Sequence, residues 1–248
     1  MQARFVFLLG VGLLGGMALV CAPLSAKDAD QNIGLSVVEL FTSQGCSSCP
    51  PADALLKVYA ERADVVALSY SVDYWNYIGW HDTFSRPEHS KRQRDYAHSM
   101  RRRSVYTPQV VINGVVDVNG ADKGAIETGL QRTVRMLAGQ RYVLVVQDVA
   151  GQLMVALDRP LKLVDQSAVL WMLRVRKKAK VQIKKGENRG RLLVYYNVVL
   201  GQKKVAMLQN GQDVVRFRKP KPPLMAGEQF VLLLQVGETG VVLGALEL

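Results

Sequence analysis

The chain reads as an α/β domain followed by an all-β sandwich or barrel-like domain. Three observations carry that expectation: a β-α-β-α-β-β-α order of apolar patterns over residues 36 to 139, a loss of helical periodicity after Leu137, and a run of short apolar stretches separated by turn residues from Arg141 onward. The 248 residues suffice for two domains of ordinary size, and the expected boundary lies near residues 138 to 142.

The elements follow in order. Residues 1 to 26 have the form of a secretory signal peptide: Arg4 in a short n-region, an apolar stretch from Phe5 to Val20, then small residues that allow cleavage after Ala22 or Ala26. An uncleaved anchor and a lipid attachment at Cys21 are the alternatives. Strand patterns cover 36 to 42 and 64 to 70, with a helix from about Cys49 to Arg62 between them. Pro87 suits the first turn of a helix running to about Arg103. Strands at 109 to 113 and 115 to 118 then precede a helix from about Ala121 to Leu137. The second half offers Tyr142 to Val146, Leu153 to Leu157, Ala168 to Val175, Leu192 to Leu200 and Phe230 to Val236 among eight or nine expected strands.

Cys46-Ser47-Ser48-Cys49 sits at the junction of the first strand and the first helix. Two thiols at this spacing can close a disulfide. At a helix N-terminus, the positive dipole end and unpaired N–H groups stabilise the thiolate of the first cysteine, the nucleophile of thiol–disulfide exchange. Loss of residues 1 to 26 would leave Cys46 and Cys49 as the only thiols, in an oxidising compartment such as the periplasm or the exterior. A structural disulfide or half of a zinc site remains open. Against zinc, the chain has no second CxxC and no paired histidine spacing. His81, His89 and His98 fit no helical ligand pair, so no metal or other cofactor is expected.

Val38-Glu39-Leu40-Phe41-Thr42-Ser43-Gln44-Gly45-Cys46-Ser47-Ser48-Cys49-Pro50 resembles the strand, CxxC and helix start of glutaredoxins. Thr107-Pro108-Gln109-Val110-Val111-Ile112-Asn113-Gly114, followed by Asn119-Gly120-Ala121-Asp122, is similar to their second motif. The resemblance implies a thioredoxin-like domain over residues 34 to 140, with a mixed four-stranded sheet and flanking helices, and a cis Thr107–Pro108 bond facing the CxxC. It further implies that Thr107 offers backbone groups to a protein thiol, a protein disulfide or glutathione beside Cys46. The chain departs from the pattern in having no tryptophan before Cys46, no proline between the cysteines and one extra residue before Asn119. Over nearly the whole mature length it resembles a family of secreted bacterial thioredoxin-like proteins of unassigned function. That likeness rests on Val72-Asp73-Tyr74-Trp75-Asn76-Tyr77-Ile78-Gly79-Trp80, Arg92-Gln93-Arg94-Asp95-Tyr96-Ala97 and Gly186-Glu187-Asn188-Arg189-Gly190.

Glu39 interrupts an apolar strand just before the CxxC. It is a candidate buried acid that takes a proton from the second cysteine, or else an outward-facing carboxylate. Asp73 is a further candidate acceptor. Tyr74, Trp75, Tyr77 and Trp80 either line a substrate groove or pack their loop onto the domain. The net charge of +11 falls to +10 without Arg4, and much of the excess lies between Arg174 and Arg191. A basic face can draw an anionic envelope surface or acidic proteins, whereas strand alternation such as Lys180-Val181-Gln182-Ile183-Lys184 also describes an ordinary solvated face. Nucleic acid is not expected as a partner, since no recognition motif accompanies the charge and the expected compartment is wrong for it. Gly186 to Gly190 is read as a hairpin turn, with a ligand role as the alternative. The expected function is an exported thiol:disulfide oxidoreductase with Cys46 attacking and Cys49 resolving. Its alternatives are a non-enzymatic envelope binding module with a structural disulfide, and a thiol-based metal carrier.

Overall fold

The structure is a computed structural model that describes residues 35 to 248; the expected signal peptide, with Cys21, lies outside the described residues. No described helix is long and apolar enough to cross a membrane. The first half contains β1 (Ser36–Thr42), α1 (Pro50–Ala60), β2 (Val65–Ser71), α2 (Pro87–Ser99), β3 (Gln109–Ile112), β4 (Val116–Asn119) and α3 (Lys123–Met136). The second half is all strand: β5 (Leu144–Val149), β6 (Gln152–Leu157), β7 (Ala168–Gln182), β8 (Leu192–Leu208), β9 (Val214–Arg218), β10 (Glu228–Val236) and β11 (Val242–Glu247).

A mixed sheet of eight strands organises the molecule, in the order β11-β10-β7-β8-β2-β1-β3-β4. β1 runs parallel to β2 and antiparallel to β3, so it is covered on both edges and both faces, which is why it reads as a nearly unbroken apolar run. Successive side chains on a strand point to opposite faces. Val38 and Leu40 therefore pack with Ala52, Leu56 and Tyr59 of α1 and Ile126 and Leu130 of α3. Val37 and Phe41 face the other way, into a cluster with Tyr96 of α2.

The expected boundary at 138 to 142 does fall in a loop, past the end of α3, but the sheet does not stop there. β8 joins β2 in parallel through Ser69 and Val198, and one core cluster combines Val37, Phe41 and Tyr96 with Trp171, Leu173, Val231 and Leu233. A three-stranded sheet, β5-β6-β9, stacks on part of the large one, with Leu144, Val155 and Leu157 against Leu170, Met172, Leu232 and Leu234. The sandwich expectation thus describes only that stacked region. The strands number seven, and two are far longer than their apolar runs: β7 has 15 residues and β8 has 17. Next to the tip of their hairpin Lys178 pairs with Tyr196 and Gln182 with Leu192, at the far end Ala168 pairs with Leu208, and the tip itself returns to the first half.

Candidate functional site

At the C-terminal end of β1 the chain turns through Ser43 to Ser48 into α1. The Cys46 N–H donates to Ser43 O at 3.2 Å and Cys49 N–H to Cys46 O at 3.3 Å. Cys49 is the helix N-cap and makes no side-chain capping bond. Pro50 and Pro51 then fill the first helical positions, where a missing N–H costs nothing. Cys46 and Cys49 form a disulfide with Cα atoms 5.4 Å apart. Ser47 and Ser48 are exposed, yet Cys46 itself is only 3% exposed and Cys49 fully buried. The bond lies one layer beneath the surface.

Three segments cover it. From the β3 side comes Thr107-Pro108, whose peptide bond is cis, with Thr107 O 3.9 Å from Cys46 Sγ. Gly120 backs this loop: a Cβ there would meet Leu40 Cδ1 at 2.8 Å and Pro108 Cβ at 3.2 Å. The second segment is the loop after β2. Trp75 Nε1 donates to Thr107 Oγ1 at 2.8 Å, and the Trp75 ring stacks with that of Tyr77, which is 79% exposed. Trp80 Nε1 and Thr83 N–H donate to Gln44 Oε1, and Gln44 N–H donates to Asp82 Oδ2. Trp75 therefore fastens the loop to Thr107 and Trp80 fastens it to the CxxC turn, while Tyr77 projects from it.

The third segment is the tip of the β7–β8 hairpin. The buried Asn188 amide donates to Gln44 O at 3.0 Å and to Cys46 O at 2.9 Å, and Ser47 N–H donates to Glu187 Oε2 at 3.3 Å. Gly186, at φ +75°, passes so close to Trp80 that a Cβ would lie 3.2 Å from Trp80 Cβ. Gly186 to Gly190 is a turn, as its residues indicate, and it also clamps the cysteine loop from a distance of 142 residues along the chain.

Glu39 does not serve the cysteines. It shares the α2 face of the sheet with Val37 and Phe41, whereas Cys49 leads into α1 on the opposite face. Fully buried, Glu39 accepts from Arg92 Nε at 2.6 Å, Arg92 Nη2 at 3.0 Å and Tyr96 Oη at 2.5 Å. The Arg92 guanidinium also reaches Gln235 Oε1 and lies over the rings of Tyr70, Tyr96 and Trp171. The carboxylate expected to face the second cysteine is instead tied by a bidentate arginine to α2, on the other side of the sheet from the helix that Cys49 starts. Asp73 is likewise engaged, accepting from Ser90 Oγ at 2.5 Å. His89 is a core histidine: its Nδ1 lies 3.0 Å from Ser71 O, and burial lowers its pKa to about 4.

The acid on the cysteine side is Asp53. It stands four residues after Cys49, on the same face of α1, and its N–H donates to Cys49 O. Both carboxylate oxygens are buried without a hydrogen-bond partner. Burial pushes its pKa up to about 8; the Thr42 hydroxyl, outside bonding geometry, opposes that rise and Asp82 adds to it. The hydroxyls of Thr42, Ser71 and Tyr195, all of which interact with Asp53 or Asp82, are also buried and unpartnered. A carboxylate on the apolar Cys49–Ala52–Leu56 stripe was a signal available in the sequence. Among the described residues no group of three or more His, Cys, Asp or Glu side chains could hold a metal ion.

A family described as "Protein of unknown function (DUF1223)" matches residues 37 to 235. The chain belongs to the DUF1223 family. Its structure is similar to the crystal structure of an Agrobacterium tumefaciens protein solved as a structural-genomics target, at 31% identity and a TM-score of 0.72, over 86% of this chain and 93% of that one. HBP35 of Porphyromonas gingivalis shares the fold at 11% identity and a TM-score of 0.54, over 87% of this chain and 74% of that one. No curated protein matches.

Proposed function

We propose that this DUF1223 protein is an exported thiol:disulfide oxidoreductase whose first half is a thioredoxin-like unit built into a larger sheet. The observation that carries the reading is the meeting of two segments 61 residues apart, which sets Thr107 O 3.9 Å from Cys46 Sγ at the start of a helix. The strand order β2-β1-β3-β4 within the large sheet supports it. In the reducing direction, the Cys46 thiolate attacks a substrate disulfide. One substrate sulfur leaves as a thiolate and a mixed disulfide forms. Cys49 then gives up its proton and attacks Cys46 Sγ, releasing the second substrate thiolate and closing the Cys46–Cys49 bond. Asp53, rather than Glu39, is the acid on the Cys49 side able to take that proton. Thr107 presents its backbone, and the Trp75–Tyr77 pair an aromatic edge, to a protein disulfide or glutathione.

The low exposure of Cys46 favours one second reading, a binding module in which the disulfide is structural. Substitution separates the two. Under the enzyme reading, Cys46→Ser abolishes exchange with a model disulfide, and Cys49→Ser accumulates a mixed disulfide that identifies the partner by mass. Under the structural reading, both variants only melt earlier, by less than the 2–4 kcal/mol typical of longer loops, and trap nothing.

A further inference from the structure

The β-rich half places a carboxylate where a thiolate needs a donor. Pro50 and Pro51 have no N–H, and the N–H groups of Cys49 and Ala52 are already given to Cys46 O and Cys49 O. The start of α1 is therefore poor in free donors compared with an ordinary helix N-terminus. What stands near Cys46 Sγ is the Ser48 hydroxyl, at 3.3 Å. The Ser47 N–H, in the residue that follows Cys46, is taken by Oε2 of the exposed Glu187 at 3.3 Å. Other charged groups stand on each side: Asp53 on α1, Asp82 beneath Gln44, Arg191 bonded to Asn188 Oδ1, and the Arg102–Asp117 pair beyond Thr107. Lys184, Lys185 and Arg189 on the hairpin are exposed. Only Glu187 puts a formal charge on an amide inside the CxxC.

We propose that Glu187 is a positioning residue that restrains the Cys46 thiolate: its carboxylate occupies the Ser47 amide and sets a negative charge at the helix end that would otherwise stabilise the thiolate. The pair is thereby biased toward the disulfide and the protein toward acting as a reductant. This rests on the oxidoreductase reading above. It gives the second half of the chain a chemical role, since the hairpin that carries Glu187 is anchored through Asn188 to the loop whose reactivity it sets.

Glu187→Gln tests it, because the amide oxygen can still accept the Ser47 N–H while the charge is gone. Wild type and variant are compared in the full mature chain, by thiolate absorbance against pH and by equilibration with glutathione redox buffers. The Cys46 pKa should fall by roughly half a unit to one unit in the variant. At a pH above the Cys46 pKa of both proteins, the equilibrium should move about threefold to tenfold toward the dithiol, or about 15 to 30 mV at roughly 30 mV per tenfold. Both differences should shrink at high salt. Glu187→Asp should restore part of the wild-type value. An unchanged or raised pKa in Glu187→Gln overturns the proposal, even if the variant melts lower, because that pattern describes a purely structural contact. Failure of exchange in both proteins overturns the oxidoreductase reading; exchange with equal equilibria in both overturns only the role of Glu187.

Discussion

Glu39 and Asp53 are both buried acids within reach of one central strand, and they lie on opposite faces of the sheet. On the α2 face Glu39 has three charge-assisted or short hydrogen bonds, an arginine counter-ion and a belt of aromatic rings. On the α1 face the Asp53 carboxylate has no hydrogen-bond partner. The difference teaches that burial alone does not mark a working acid. A carboxylate paired with arginine ties elements together, here β1, α2 and β10. An unpaired one is kept in its neutral form by desolvation and can exchange a proton near neutrality.

The largest expected effect is on the paired side. Glu39→Gln leaves the Arg92 guanidinium buried without its counter-charge, and should cost about 3–5 kcal/mol in chemical denaturation while leaving the Cys46 pKa where it is. A shift in thiol reactivity without loss of stability would reverse the assignment of the two acids.

Next in size is the pH dependence of stability. The folded-state pKa of Asp53 is raised to about 8, so its stabilising neutral form is fully present below about pH 4 and is lost as pH rises toward 8. His89, lowered to about 4, works in the opposite sense: the stability of its neutral form is present above about 6.5 and lost as pH falls toward 4. Each contributes about 1.4 kcal/mol per pH unit within its window. These contributions cancel between about pH 4 and 6.5, and Asp53 alone then lowers stability by about 2 kcal/mol between 6.5 and 8. Asp53→Asn should abolish that decline and slow resolution of the mixed disulfide above pH 7. A wild-type profile flat from 6.5 to 8 would show that Asp53 has an ordinary pKa and remove it from the mechanism.

A smaller effect is expected at the hairpin. Asn188→Ala leaves two carbonyls of the cysteine loop without a donor, and should cost about 1–3 kcal/mol. It should also speed hydrogen exchange at residues 44 to 48 more than in β1. Smallest is Lys91→Ala, which removes an exposed pair with Asp95 and should change stability by less than about 0.5 kcal/mol. It serves as the baseline for the others.

What the sequence made legible was local. The strand–turn–helix around Cys46, the helix start at Pro87 and the order of elements to Met136 all follow from periodicity and capping within a few residues. The hidden features depend on pairings over long separations. The face of Glu39 is ambiguous because a strand covered on both sides has no polar alternation to orient it. The apolar run of β7 stops near Val175, so its polar extension to Gln182 looked like a loop, and although Gly186 to Gly190 was legible as a turn, nothing in its residues specified the contact with the CxxC. Trp75 and Trp80 were recognisable as a crowded loop; that their ring nitrogens hold Thr107 and Gln44 was not, since nothing in the spacing specifies a partner.

The single Ser69–Val198 register pair has a consequence for how the protein is made. β2 is uncharged and buried along its whole length, and its outer neighbour, β8, is about 130 residues away in the chain. Until the ribosome has delivered β8, the growing polypeptide carries an apolar strand with one unpaired edge, a template for cross-chain pairing. A fragment ended near residue 140 should therefore aggregate rather than persist as a small soluble unit. The full chain, with so much of its sheet closed at high contact order, should fold slowly for its size and depend on being held unfolded until synthesis is complete.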